Sequence, residues 1–406
     1  MNILFYQHQY PAFGGIETVT TILANRFAKD GHRVCIVSFV HKEGSNLLGK
    51  LVQGIEWREL PEPYLDSPSN RSAFLSILVA FQPAKIIFQD SYANIHDMLF
   101  DVVEMWRNNY CLPSLVPEEL SAPCLSCNAQ TKHRHEIGLL RRLAISILRP
   151  YLYLRRFYYE SCRRKLLFDK SDCYVVLSGN YFSQIRRLVG KKRMQKLCAI
   201  PNPIVGETYS ANIVKKKTIL FVGSLITTKG VERLLQVWAI IEKKYPCWIF
   251  KIVGDGPKRM ELEEMARRIG LQQVSFEGFQ KDPTPYYKEA SVFVMASNFE
   301  GWPMVLGEAM RQGCVPVVFN SFASASDIVE DFVSGFLIKP FDKKQFAKRL
   351  ECVMKDEDMR MKMARSAIAK TNEYCLDGIV AKWYSLLGRG ARGVIVVEHN
   401  SPFGRF

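Results

Sequence analysis

Two glutamates eight positions apart, Glu300 and Glu308, bracket the segment Glu300-Gly301-Trp302-Pro303-Met304-Val305-Leu306-Gly307-Glu308. Pro303 suits the first position of a helix, where its φ is pre-organised and its missing N–H costs nothing. Glu300 then lies just before the helix, and Glu308 about a turn and a half inside it. A carboxylate offers two acceptors to a vicinal diol, so Glu308 fits a ribose and Glu300 can orient the hydroxyls of a sugar. Acids near a helix start are also ordinary dipole-favoured residues, and the spacing alone leaves both readings open. Amides around Met304 and Val305, at the helix tip, favour an anion such as a phosphate.

Two earlier loops have the same placement, after a strand and before a helix. In Gly223-Ser224-Leu225-Ile226-Thr227-Thr228-Lys229-Gly230, Lys229 can neutralise a diphosphate and the glycines permit close backbone approach. It is not a P-loop, which needs Ser or Thr directly after its lysine at fixed spacing from the first glycine. In Gly254-Asp255-Gly256-Pro257 a dinucleotide fingerprint would require a further glycine where Arg259 stands, so that reading fails. A tight turn with Pro257 at a helix start also explains these glycines without a ligand. Asp356-Glu357-Asp358 lies between two helical patterns and reads as a cap rather than a metal site.

These loops need a scaffold, and the pattern supplies one. Residues 3–7 read as a strand, a loop follows with Gly14 and Gly15, then a helix over 16–29 and a second strand over 33–39. Further buried strands are expected at 84–88, 173–178 and 197–200. A polar stretch over 205–217 is the natural linker. Beyond it strand and helix patterns alternate: TILFVGS, VERLLQVWAIIEKKY, WIFKIVG, KRMELEEMARRIG, VSFEGF, SVFVMAS, MVLGEAMRQG, VPVVF and GFLIKP. The fold class is α/β, with two Rossmann-like doubly wound domains facing a central cleft. The expected limits are 1–204 and 218–373.

The chain of 406 residues is 48% hydrophobic and 23% charged, which excludes a disordered or collagen-like protein. No run approaches the ~20 apolar residues that span a bilayer. The start MNILFYQHQYP reads as a first strand rather than a signal peptide. Eleven cysteines in a long chain fit reduced cytosolic thiols. The net charge is +15, and residues 132–196 hold 17 Lys plus Arg against four acids. There Arg142, Arg149, Arg156 and Arg163 recur every seven residues among Tyr151, Tyr153, Phe157, Tyr158 and Tyr159, with Pro150 expected to divide two helices. Such a block fits an anionic membrane surface; a solvated helix face is the plain alternative. A nucleic-acid partner is not expected, because no nucleic-acid module is present. Cys111, Cys124 and Cys127 with His133 and His135 could bind zinc, but a single Cys-x-x-Cys without a partner pair is a weak signal.

Taken in order, GGIE over 14–17, VGSL…KG, VGDGP, FEGF and FEGWPMVLGEAM resemble the family 4 retaining nucleotide-sugar glycosyltransferases of the glycosyltransferase-B fold (glycosyl transferases group 1). The resemblance implies a hexosyltransferase moving a sugar from a nucleotide diphosphate to a glycan or polyprenyl-lipid-linked acceptor in cell-surface polysaccharide synthesis. It implies retention, no metal and no cofactor, in the cytoplasm at the inner face of the plasma membrane. Gly14 and Gly15 would lie opposite the diphosphate, with Ser224, Lys229 and Gly254 beside it. Met304 and Val305 would meet the phosphates, Phe279 would lie at the base, Glu308 would hold the ribose and Glu300 the donor sugar.

Two positions depart from the pattern. The family's arginine five places before Lys229 is Ser224 here, so either another cation, Arg259 or a first-domain residue, substitutes or donor affinity is lower. No mid-sheet strand ending in a histidine precedes residue 132, yet the tail GVIVVEHNSPFGRF resembles that strand, with His399 in the histidine's place. Residues 374–406 are accordingly expected to cross back to the first domain, the competing reading being a rearranged gene whose tail hangs free, and the reserve histidine is His96. A catalytically weak nucleotide-sugar-binding partner subunit is the alternative reading.

Overall fold

The computed structural model describes residues 1–63, 66–90, 96–107, 139–208, 215–388 and 393–398. Thirteen parallel strands among these residues form two sheets. The first contains β1 (Asn2–Gln9), β2 (Arg33–Val40), β3 (Glu56–Glu59), β4 (Lys85–Asp90), β5 (Cys173–Val176) and β6 (Leu197–Ala199). The second contains β7 (Lys216–Val222), β8 (Ile249–Val253), β9 (Val274–Gly278), β10 (Ala290–Met295), β11 (Val315–Phe319) and β12 (Phe336–Ile338). The last strand, β13 (Gly393–Glu398), returns to the first sheet. The orders are β3-β2-β1-β4-β13-β5-β6 and β12-β11-β10-β7-β8-β9.

Both faces of each sheet are covered, which is why the strands read as continuous apolar runs rather than alternating ones. In β1, Ile3 and Phe5 enter one core while Leu4 and Tyr6 enter the other. In β7, Leu220 and Val222 join the first of these clusters, which is therefore continuous between the domains, while Ile219 and Phe221 pack on the far side. Ile204, before the second domain, is buried in the shared cluster and donates its N–H to the Tyr374 carbonyl at 2.8 Å.

The helix Leu376–Leu387 carries the chain back across the cleft. Asp377 pairs with Arg26, the Tyr384 hydroxyl donates to Asp30, and the Tyr384 ring lies 5.7 Å from that of Phe27. β13 then enters between β4 and β5, with Val396 opposite Phe88 on one side and Tyr174 on the other. Val394 to Val397 are almost wholly buried. The tail thus fills the middle of the first sheet up to Glu398, and His399 lies outside the described residues.

One expectation needs correction, and two features were not foreseen. Pro150 does not divide two helices: Leu139–Lys170 is one helix of 32 residues. A proline removes one N–H from the ladder, and the flanking turns of so long a helix retain theirs. The basic stripe on it is not uniformly solvated, because Arg163 is half-buried 4.0 Å from Glu160 and Arg164 is buried against the same acid. The short edge strand β3, with sequence EWRE, carries no apolar run and was not expected. The possible zinc ligands Cys111, Cys124, Cys127, His133 and His135 lie outside the described residues. Asp356 does cap a helix, its carboxylate accepting from the Met359 N–H at 2.8 Å.

Candidate active site at the domain cleft

The second sheet ends in the three loops singled out above, and their backbones hold one another. Gly223 N–H donates to Val253 O, Gly254 N–H to Gly278 O, and Leu225 N–H to Asp255 O, all within 3.0 Å. At Gly254 φ is +139°, and a Cβ there would lie 1.9 Å from the Gly223 carbonyl oxygen. Gly254 is therefore required by the crossing of two loops, whatever the loops bind.

Lys229 ends the first loop, just before Gly230 and the helix Val231–Ile241. Its ammonium donates to both oxygens of Glu300, at 2.7 and 3.0 Å. Glu300 sits in the irregular segment between β10 and the helix Met304–Arg311, which no side chain caps. Leu306 N–H donates to Pro303 O at 3.2 Å, and the amides of Met304 and Val305 at the tip are the ones placed to favour an anion. Val305 is half-buried there, and Met304 is buried facing the other domain: a Cβ on Gly15 would lie 3.8 Å from Met304 Cγ.

Glu308 lies one turn further along the same helix, half-buried, and accepts from the Tyr287 hydroxyl at 3.0 Å. Burial holds the Glu308 carboxyl above its ordinary value, and the Tyr287 bond offsets this only in part. Tyr287 itself is pushed well above its usual range by burial and by the Glu308 charge.

From the first domain, Gly14 and Gly15 open the helix Gly15–Lys29 on the cleft side. Glu17 folds back over this start: a Cβ on Gly14 would lie 2.2 Å from its carboxylate. Gln9 donates to Glu17 at 3.3 Å, and burial raises the Glu17 pKa. The Phe13 ring stands edge-on to Phe279, 5.5 Å between centroids, so an aromatic pair bridges the domains at one end of the cleft.

The structure brings Lys229 and Glu300 into contact and sets Gly15 against Met304; Glu308 shares the helix that Met304 opens. Ser224 is exposed and brings no cation. Arg259 is engaged with Glu263 at 2.8 Å and Asp255 at 3.4 Å. His96 is buried, with Nε2 3.5 Å from Asp97. Sequence reasoning missed Tyr287, whose position in PYYKEA reads simply as core. It also missed the first-domain turn over 178–181, which touches the Glu300 segment and carries no motif.

Residues 209–370 match the model of the family described as glycosyl transferases group 1. An uncharacterized glycosyltransferase of Haemophilus influenzae is 31% identical over 190 residues, 47% of this chain and 54% of that protein. The chain thus spans about half the length of that curated relative. A Campylobacter jejuni protein named GalNAc-alpha-(1->4)-GalNAc-alpha-(1->3)-diNAcBac-PP-undecaprenol alpha-1,4-N-acetyl-D-galactosaminyltransferase is 24% identical over 92% of this chain and 95% of its own length. Among solved structures, the lipopolysaccharide outer core galactosyltransferase WaaB aligns with a TM-score of 0.63 at 17% identity, covering 96% of this chain and 100% of its own. Anabaena HepE in complex with UDP and glucose aligns at 0.69 and 16%, covering 96% and 99%. The chain has the glycosyltransferase-B fold, and its residues 209–370 are similar to the glycosyl transferases group 1.

Proposed function

We propose that this chain is a member of the glycosyl transferases group 1 and moves a hexose-type sugar from a nucleotide diphosphate to a glycan or lipid-linked acceptor in cell-surface polysaccharide synthesis. The observation that carries the reading is the Lys229–Glu300 pair, set at the carboxyl edge of the second sheet on the segment that opens the Met304–Arg311 helix. A pyrophosphate taken up by Lys229 and the helix tip leaves Glu300 to the donor sugar and Glu308 to the ribose. Positive charge from Lys229 and the helix tip, set against the negative charge that develops on the departing phosphate, is the main catalytic contribution expected of such a site.

The remaining parts follow from the family resemblance. Transfer proceeds with retention and without a metal, the departing phosphate helping to take the acceptor proton, and the protein mainly positions the two substrates. His399, the residue after β13 in sequence, is assigned the role of the family's histidine that faces the donor sugar. The acceptor is held at an anionic membrane surface on the cytoplasmic side. In support of that docking, the helix Leu139–Lys170 exposes Tyr151, Leu154, Tyr158 and Tyr159 beside exposed Arg155, a mixture that suits lipid headgroups.

A panel of nucleotide sugars tested for thermal stabilisation identifies the donor, since a ligand at 100 times its Kd adds ~2.7 kcal/mol. Turnover of that donor with retained anomeric configuration supports the enzyme. Binding without transfer or donor hydrolysis, in the intact chain and in Glu300→Ala alike, would make the chain a nucleotide-sugar-binding partner subunit instead.

A further inference from the structure

We infer that Tyr181, a residue of the first domain, is a positioning residue for Glu300, and that with Asn180 it latches the domains together at the site. The inference rests on the reading of Glu300 as a ligand of the donor sugar.

The segment over 296–303 has no regular secondary structure to fix it. Within its own domain it is held by Asn298 N–H donating to Thr228 O at 2.7 Å and by the Ser324 hydroxyl donating to Gly301 O at 2.7 Å. The bond to the peptide of Glu300 itself comes from across the cleft: the Tyr181 hydroxyl donates to Glu300 O at 2.8 Å, with Gly301 O at 3.4 Å. Tyr181 is 3% exposed and belongs to a core cluster of the first domain, so its hydroxyl is a fixed point rather than a swinging one.

The turn that presents Tyr181 is docked on the second domain by its neighbour. The Ser178 hydroxyl accepts from Asn180 N–H at 3.1 Å, which turns the Asn180 side chain toward the other domain. Its amide then donates to Asp327 Oδ1 at 2.9 Å, Ala323 O at 3.1 Å and Ser326 Oγ at 3.3 Å. Asp327 is tied in turn to the crossover, its carbonyl accepting from the Tyr374 hydroxyl at 2.6 Å. The Tyr374 ring packs edge-on against Trp302, 4.9 Å between centroids, inside the Glu300 segment. Separation of the domains therefore withdraws the donor from the Glu300 carbonyl, and closure restores it. Lys229 and the helix tip lie wholly in the second domain, so donor binding does not require the latch; Lys229 holds the Glu300 carboxylate, and the latch fixes the backbone that carries it.

The test is Tyr181→Phe, which keeps the ring and removes the bond. With the donor found by the thermal screen, kcat should fall about 10- to 100-fold, the Kd of the nucleoside diphosphate should stay within about threefold, and Tm should hold to within a few degrees. Hydrogen exchange on the full chain should speed up at the Asn298 amide, which donates to Thr228 O in the same segment. Asn180→Ala should produce the same pattern more weakly. Unchanged exchange at the Asn298 amide in both variants, or a kcat loss matched by an equal loss of nucleotide affinity, overturns the inference. The exchange readout needs no turnover, so it decides the latch even if the wild-type chain transfers no sugar and the functional reading falls.

Discussion

Lys229 and Glu300, 71 residues apart in the chain, meet with both carboxylate oxygens within 3.0 Å of one ammonium. Side-chain exposures of 25% and 12% place the pair at the floor of an open cleft rather than in a sealed core. A partly exposed ion pair of this kind adds little to folding, about 1 kcal/mol or less. Its consequence lies in binding: an incoming pyrophosphate must share Lys229 with Glu300.

Lys229→Ala should therefore raise the Kd for nucleoside diphosphates about 10- to 100-fold, the worth of one charge-assisted hydrogen bond, with a small change in stability. Glu300→Gln should act in the opposite direction on the same ligand. It releases Lys229, so a nucleoside diphosphate without sugar binds as well or better, while sugar transfer falls about 100-fold or more. Titration calorimetry with both variants checks the pair, and equal weakening by both would contradict it.

Glu308 makes a prediction with a pH sign. Burial raises its carboxyl pKa, so the folded chain holds this proton more tightly than the unfolded chain, whose glutamates titrate near ~4.3. The stability this confers is complete below that value and is lost as pH rises through the folded pKa. Glu308→Gln carries no such loss, so its Tm should exceed that of the wild type at pH 7, with the gap shrinking toward pH 4. Donor affinity should fall about 10- to 100-fold in the same variant, because one of the two oxygens that accept from the ribose hydroxyls becomes an NH2 donor and the charge is lost. Melting curves across that range, with and without donor, test both halves.

Gly254→Ala should destabilise by about 3 kcal/mol or more, since a Cβ 1.9 Å from the Gly223 carbonyl forces two loop backbones apart at a positive φ. Gly49→Ala, where a Cβ meets nothing within 4 Å, should lie within about 0.5 kcal/mol of the wild type. Chemical denaturation compares them. A nucleotide-binding defect in Gly254→Ala then reports on the loop's shape and not on a lost ligand.

The second domain was legible because its strands are buried on both faces: runs such as TILFV and SVFVM leave no amphipathic ambiguity, and each is followed by glycine or serine and a helix. The three cleft loops could be named for the same reason. Their mutual distances could not, because nothing in the spacing of Lys229 and Glu300 fixes how far β7 and β10 place their ends. The bond from Tyr287 to Glu308 was hidden as well, since a buried tyrosine has the pattern of a phenylalanine until its hydroxyl finds a partner. β3 escaped because an edge strand exposes one face and one side, and Pro150 misled because a single lost hydrogen bond does not end a 32-residue helix. The run VIVV marked β13 as a strand, and the absence of a mid-sheet strand earlier in the chain marked where it was needed.

β13 yields the sharpest test of the architecture. As the fifth of seven strands it pairs with β4 and β5 at once, so removing it would expose two long parallel edges, a configuration prone to aggregation. A chain ending at residue 388 should accordingly express as insoluble or dimerising protein. Val396→Asp, placing an unpaired charge at a position 0% exposed, should destabilise by about 3 kcal/mol or more. Because both variants can fail to fold for other reasons, native-state hydrogen exchange on the intact chain decides the matter. Amides of β13 should exchange as slowly as those of β4, near the global unfolding limit, while those of the edge strand β3 exchange much faster. Exchange of β13 at the rate of β3 would mean that the tail is not a strand of this sheet, and His399 would then lose its route to the cleft.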